Sequence, residues 1–571
     1  MNMPDKIILL KIFVSLYIIF LVSDISFGQR SNLNSQVLQS GVYFKTSDDK
    51  LQRMFDEAEC LARINIKDFG RYDVMVEGAG YSAVFLETQP MGGAMYAKRN
   101  IEIAKNNQLV FMDCQREDGR LPGSVRFKEG KLTSRYLELQ GGFLPLEAFD
   151  VYFWIGKDPE YLTQLYETLK KYDNYLWKTR DSDNNKCLET WCIHDTGEDH
   201  NERFGNSYSS WGFSFAPTLD NLKKLSEKDS LELCSDIYNR CSGKLKLDSP
   251  MPVESMDVMS FSYANRYILA RISKILQNGQ SKFWDEEART VCEKIRDYLW
   301  IPEKHACYDR NRDNNVMDVL IHNNLRCMYF GSFSQQMADE FIRYHLLNPE
   351  EFWTTIPLPS IAVNDPVFRN AAGNNWSGKP QGLTFQRSIR ALENYGHYAE
   401  LTMIGNKLLN TIKDSLFFVQ QFDPFSGKCD EPAKRNGYGP TVLASLEFIS
   451  RFYGIHLSQD KIYWSCLDDK NDFEYIQKWG DCHYKLQTRN DKVYCFINDK
   501  EMFWFTKGAR VVSDFKGRII AVIGIEPEAK TVTVSVSGET HSLSLLPNAE
   551  YLYKNKFRKL RSVEFSFSPN N

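Results

Sequence analysis

The sequence predicts a mainly α fold, in which roughly a dozen helices pair into a ring of about six hairpins and a small β-domain follows at the C-terminal end. Three observations predict it. From about Thr46 to about Tyr453, apolar residues recur at helical spacing in segments separated by turn-forming stretches. Almost no strand pattern interrupts them. After about Lys461 the period changes to short alternating or β-branched runs.

The first residues read as an export signal. Lys6 precedes an apolar run from Ile7 to Val22, broken by Lys11, and Ser26-Phe27-Gly28 supplies small residues before a cleavage point. Residues 1–28 are therefore expected to be removed, with the mature chain starting near Gln29 in a periplasmic or secreted protein. A retained membrane anchor is the alternative for a run of this length. No cysteine follows it closely, which speaks against a lipoprotein, and no other stretch is long enough to span a bilayer, so no stable span is expected after cleavage.

The helical domain is expected over 29–458. Its first segment shows the pattern: Thr46 and Asp49 suggest a capping box, and Leu51, Met54, Phe55, Ala58 and Leu61 fall on one face. Comparable stripes run over Leu162–Trp177, Met256–Leu276, Phe283–Leu299, Met337–Leu346, Gly382–Tyr395 and Pro440–Tyr453. Stacked hairpins closed into a ring bury every stripe and leave a cleft where the loops meet. In the β-domain, expected over 461–571 as a sandwich, Ile519–Ile525, Thr531–Val536 and Ser542–Leu546 are the clearest strands.

Composition narrows the partners. A formal net charge of -4 leaves no surplus of Lys and Arg for phosphates, so nucleic acid is not expected. Aromatics make up 13 % of the chain, enough to face sugar rings as well as fill a core. The 13 cysteines show no paired metal spacing, and an odd count leaves at least one thiol free. The acidic turns at Asp181–Asn185 and Asp309–Asp313 alternate oxygen ligands but lack the acidic twelfth position of a calcium loop, so they are read as plain turns. No cofactor and no metal are called for.

The densest chemical candidate is Glu189-Thr190-Trp191-Cys192-Ile193-His194-Asp195-Thr196-Gly197-Glu198-Asp199-His200, which interleaves acids, His and Trp around a Gly turn. Crowded carboxyl groups raise one another's pKa, which a general acid needs at neutral pH. An acidic surface turn or a helix cap is the alternative. Further stretches stand out in loops: Tyr81-Ser82-Ala83-Val84-Phe85-Leu86-Glu87-Thr88-Gln89, Asn374-Asn375-Trp376-Ser377-Gly378-Lys379-Pro380-Gln381-Gly382, Gln420-Gln421-Phe422-Asp423-Pro424-Phe425-Ser426-Gly427 and Asn436-Gly437-Tyr438-Gly439-Pro440.

Together these segments resemble the six-hairpin glycosidases, closest to glycoside hydrolase family 63 with its mannosylglycerate hydrolases and trehalase-like relatives. The resemblance covers roughly Gly80 to Tyr453 and implies an (α/α)6 toroid. It puts the general acid on Asp199 with Asp195 as its supporting neighbour, gives Glu87 the holding of sugar hydroxyls, and sets Trp376 and Tyr438 beside the sugar. It departs at three positions: Ser377 and Gln381 replace an Arg and a Trp of the sugar loop, and Gln420 stands where relatives carry the base. Glutamine orients a water but takes no proton from it. The nearest replacement carboxylates in sequence are Asp430 and Glu431, with Glu431 the tentative base.

The expectation is an exported hydrolase that cleaves a glycosidic bond in an oligo- or polysaccharide by inversion. A carbohydrate-binding pseudo-enzyme without a base is one alternative. A polysaccharide lyase on a similar toroid is another, disfavoured because no His lies in a loop rich in Arg and Tyr.

Overall fold

A computed structural model describes residues 38–136, 138–204, 251–565 and 567. The export signal read at residues 1–28 lies outside them. Among the described residues, helices α1 (Asp49–Ile64), α2 (Gln89–Tyr96), α3 (Ile101–Met112), α4 (Leu144–Trp154), α5 (Pro159–Thr179), α6 (Met256–Leu276), α7 (Ser281–Lys294), α8 (Asn323–Phe330), α9 (Gln335–Phe341), α10 (Gly382–Tyr395), α11 (Tyr398–Ser415) and α12 (Gly439–Tyr453) follow in order.

The helices differ in burial. Helix α1 is amphipathic and buries Leu51, Met54, Phe55, Ala58 and Ala62, whereas every residue of α8 and of α12 is buried. A helix covered on all sides belongs in the interior. The even helices accordingly touch one another in sequence, α2 to α4, α4 to α6, α6 to α8, α8 to α10 and α10 to α12, and α12 touches α2. Close approach at the heads of α10 and α12 requires glycine, because a Cβ on Gly382 would lie 1.7 Å from Thr441 Oγ1. The cap of α1 differs from the expected pair. Asp48 accepts from the backbone of Lys50 and Leu51, while Thr46 ends a strand.

The C-terminal strands form two antiparallel sheets, and here the domain boundaries need correction. Strand β1 (Ser40–Thr46) pairs with Phe473–Trp479 in a seven-stranded sheet, so the start of the chain completes the β-region. Ile455–Ser458 pairs with Lys461–Cys466 in a six-stranded sheet, so a boundary at 458–461 cuts through a hairpin. Trp464 packs against Tyr484 and Phe503 and joins the two sheets. The helical region also holds a small sheet, Val84–Phe85 with Ser124–Lys128 and Lys131–Arg135, which the helical periodicity hides.

Every cysteine among the described residues is a free thiol. No helix among them is long and apolar enough to cross a membrane. No group of three or more His, Cys, Asp or Glu among them is placed to hold a metal ion. Asp309, from one of the two acidic turns, is buried against Arg203 at 2.8 Å.

Candidate active site

A cavity of about 150 Å³ opens where the loops leading into the inner helices converge. The loop before α2 contributes Glu77, Tyr81, Phe85 and Glu87, the approach to α4 contributes Glu138 and Gln140, and the turn between α5 and α6 contributes His194, Gly197 and Asp199. Asn374 and Trp376 come from the segment before α10, and Gln420 and Tyr438 from the one before α12. Inner-helix N-termini thus surround a nest of carboxylates.

The acidic turn divides its side chains between cavity and interior. Asp199 faces the cavity, with Oδ1 2.7 Å from His194 Nδ1 and Oδ2 accepting from Asn374 Nδ2. Burial alone would lower the His194 pKa, but the hydrogen bond and charge of Asp199 outweigh it and shift it upward. Its neighbour Glu198 points the opposite way into a fully buried ionic knot, 2.5 Å from Arg203 and within reach of His322 and Arg326. Burial opposes ionisation there, yet Arg203 and Arg326 hold Glu198 well below the usual carboxylate range. Asp195 also turns inward. It accepts from Leu139 N at 2.7 Å, Trp191 N at 2.7 Å and Arg180 Nη1 at 2.8 Å. Asp195 is completely buried, does not line the cavity and binds no sugar there; it fixes the turn on which Asp199 stands.

Glu87 lies across from that turn. It accepts from Gln140 Nε2 at 2.7 Å and faces Arg387 Nη2 at 3.4 Å. Burial pushes its pKa up to about 7 against the pull of Arg387 and Arg326. Gly197 packs directly on it, with φ of +73° and a hypothetical Cβ only 2.0 Å from Glu87 Oε2. Trp376 lines the cavity but is 2 % exposed, and its ring packs 5.7 Å from the His322 ring and 5.6 Å from the Arg326 guanidinium. Its backbone N–H donates to the Asp199 carbonyl at 3.1 Å, which ties the sugar-loop segment to the acidic turn.

On the remaining wall, Gln420 Oε1 accepts from the Tyr81 hydroxyl at 3.2 Å and Nε2 donates to Asn374 Oδ1 at 3.2 Å. Because Asn374 also donates to Asp199, a single asparagine spans the gap between the glutamine and the expected acid. Tyr438 lines the cavity, and its hydroxyl donates to Glu77 Oε1 at 2.8 Å. Glu431 does not line the cavity. It caps the short turn Pro432–Arg435 and faces Lys434 at 3.3 Å and Arg435 at 3.7 Å, which overturns its expected placement as base. Asp430 is likewise engaged, 3.3 Å from Lys379.

Sequence reasoning missed Glu77, Glu138, Arg126, Arg135 and His194 as cavity residues. His194 was in the quoted acidic loop without a role, and Glu77 stands four residues before the Tyr81 segment. Asp118, by contrast, is the turn former that its Asp-Gly pair suggests, accepting from Arg120 N at 3.2 Å.

Carboxylates gathered at the head of a six-hairpin helical fold define a glycosidase. The mannosylglycerate hydrolase MGH1-like glycoside hydrolase domain matches residues 97–441, and the chain belongs to that family. Among solved structures, the family 63 mannosylglycerate hydrolase from Thermus thermophilus in complex with glucose is similar, at 16 % identity and a TM-score of 0.54 over 69 % of this chain and 99 % of that one. A structure described as a sialidase aligns with a TM-score of 0.61 at 12 % identity, over 85 % of this chain and 43 % of its own. At these identities the two structures establish shared fold only.

Proposed function

We propose that this protein is an exported glycoside hydrolase that cleaves a glycosidic bond of an oligo- or polysaccharide with inversion, in an (α/α)6 toroid packed against a β-sandwich. The observation that carries this reading is Asp199, held by His194 and Asn374 at the edge of a small cavity shared with Glu87 and Gln420. Asp199 protonates the leaving oxygen, and a water on the far side attacks the anomeric carbon. In inverting enzymes the two carboxyl groups stand about 6.5–9.5 Å apart to leave room for that water. Glu87, with its second oxygen toward Arg387, accepts hydrogen bonds from sugar hydroxyls, and Trp376 offers an apolar edge. The test is a screen of α- and β-linked di- and oligosaccharides with wild type and Asp199→Asn. Turnover by the former and not the latter supports the assignment; equal turnover overturns it.

One observation revives the lyase reading. Folding brings His194, Tyr81, Arg126 and Arg135 into the same cavity, although no single loop contains them. Against it, Arg135 lies 3.1 Å from Glu138, and Glu77, Glu87 and Asp199 line the same space, a poor charge balance for a uronate. Ultraviolet-absorbing unsaturated product from a uronate polymer would favour the lyase.

A further inference from the structure

We propose that Glu77 is the catalytic base of this protein, the carboxylate that accepts the proton of the attacking water. The inference rests on the glycosidase reading above and supplies the half of the reaction that Gln420 cannot perform. It begins from the carboxylates that line the cavity, Glu77, Glu87, Glu138 and Asp199. Glu138 is paired with Arg135. Glu87 has donors on both sides, Gln140 and Arg387, and Gly197 pressed against it. Asp199 is bound to His194 and Asn374. Glu77 is different: Oε1 accepts from Tyr438, and Oε2 takes no hydrogen bond from any described residue. It forms no ion pair among the described residues.

Its position suits the role. The Glu77 carbonyl accepts from Gly439 N at 2.7 Å, which fastens the loop before α2 to the head of α12, beside the segment that carries Gln420. Tyr81, four residues on, holds the Gln420 side chain at 3.2 Å. Asp199 comes from the turn before α6, which stands two contacts from α2 and three from α12 around the inner helices. Glu77 and Gln420 therefore come from adjoining segments, and Asp199 comes from a separate one. A water in the cavity donates one proton to Glu77 Oε2 as its oxygen bonds to the anomeric carbon. The glycosidic C–O bond breaks, its electron pair goes to the leaving oxygen, and Asp199 protonates that oxygen. Solvent exchange then returns a proton to Asp199 and removes one from Glu77.

The surroundings of Glu77 set the pH at which this works. Burial and the charges of Glu87 and Asp199 push it up to about 8, against the Tyr438 hydrogen bond and the charge of Arg387; Tyr81, Glu138, His194, Arg126 and Arg135 are the other titratable groups that line the cavity. The ionised base accumulates as pH rises toward that value, so the ascending limb of the rate profile should lie unusually far into the alkaline range.

The experiment uses the full-length protein and the p-nitrophenyl glycosides and disaccharides that wild type cleaves. Glu77→Ala should lower kcat by at least about 10³-fold, equally for good and poor leaving groups, with KM changed little. Sodium azide should restore part of the rate and yield a glycosyl azide. Glu77→Gln, which keeps the volume and one acceptor for Tyr438, should be equally slow and still bind the sugar. Four results overturn the proposal: a loss under tenfold, a loss that vanishes with the p-nitrophenyl leaving group, an unchanged ascending limb in Glu77→Gln, or a slow Glu77→Gln that no longer binds sugar. A wild type inert on every glycoside overturns the hydrolase reading and this inference together, whereas an active wild type with an equally active Glu77→Ala removes only this inference.

Discussion

Buried carboxylates meet opposite surroundings in two regions: the cavity at the leading ends of the inner helices leaves them short of cations, while the ionic knot of Glu198 behind it and the trailing ends surround them with cations. At the leading end, burial pushes Glu77 up to about 8 and Glu87 up to about 7, the latter against Arg387, Arg326 and the Gln140 hydrogen bond. At the trailing end, where the ring meets the β-sheets, Glu393 lies 2.8 Å from Arg510 and 3.5 Å from Arg451, and Glu447 lies 2.9 Å from Lys98 and against Arg451. Burial there is outweighed by the cations, and both carboxyls fall below their ordinary value. Glu147 is the exception, raised to about 8 by burial and by the charge of Asp150, against the pull of the Arg390 that the two share. The trailing end holds the larger cavity, about 510 Å³ against about 150 Å³. Size therefore does not mark the site; carboxylates left short of cations do.

The contrast breaks or sharpens under mutation. Asp199→Asn should cost about 10²–10⁴-fold in kcat with little change in melting temperature, measured on any cleaved glycoside. Glu447→Gln should do the reverse. It leaves buried Lys98 without a carboxylate and Arg451 with Glu393 alone, so about 3–5 kcal/mol of stability should be lost in denaturant unfolding while kcat per folded molecule is unchanged. If Glu447→Gln lowers kcat as Asp199→Asn does, the division of labour between the ends is wrong.

Gly197→Ala should cost less stability than Glu447→Gln. Its φ of +73° and the 2.0 Å approach to Glu87 Oε2 force a shift of that carboxylate. A cost of about 1–3 kcal/mol and a raised KM should appear together, read from unfolding and steady-state kinetics. A separate effect falls on the pH dependence of stability. The folded-state pKa of Glu77 is raised from 4.5 to about 8, so the stability its neutral form allows is fully present below about 4.5 and declines as pH climbs toward about 8. Glu77→Gln, which never ionises, should match wild type near pH 5 and melt higher than wild type near pH 8. A pH-independent difference in melting temperature would show that Glu77 is not the buried, proton-holding group described.

Much of the helical organisation was legible because burial leaves a 3.6-residue period. Met256–Leu276 and Gly382–Tyr395 agree with the expected bounds, and Pro440–Tyr453 misses only one residue. Strand β1 was not legible, since its partner at Phe473–Trp479 lies more than 400 residues away and nothing local in Ser40–Thr46 announces it. The site divided along the same line. Asp199, Glu87 and Gln420 stood out because they fall in loops with a distinctive wording, and all three line the cavity. Glu431 was chosen for sequence proximity to Gln420, but the left-handed backbone there, φ of 43°, and the Lys434 and Arg435 that follow turn it to solvent-facing pairing. Glu77 escaped notice because its role depends on Tyr438, 361 positions on, and no local pattern encodes a contact of that range.

The most direct test of the central claim, that the leading-end cavity cleaves glycosides by single displacement, is proton NMR of the first-formed sugar when wild type acts on an α- and β-linked oligosaccharide panel. The account predicts release of the anomer opposite to that of the bond cleaved. Release of the same anomer, or no cleavage anywhere in the panel, would contradict it.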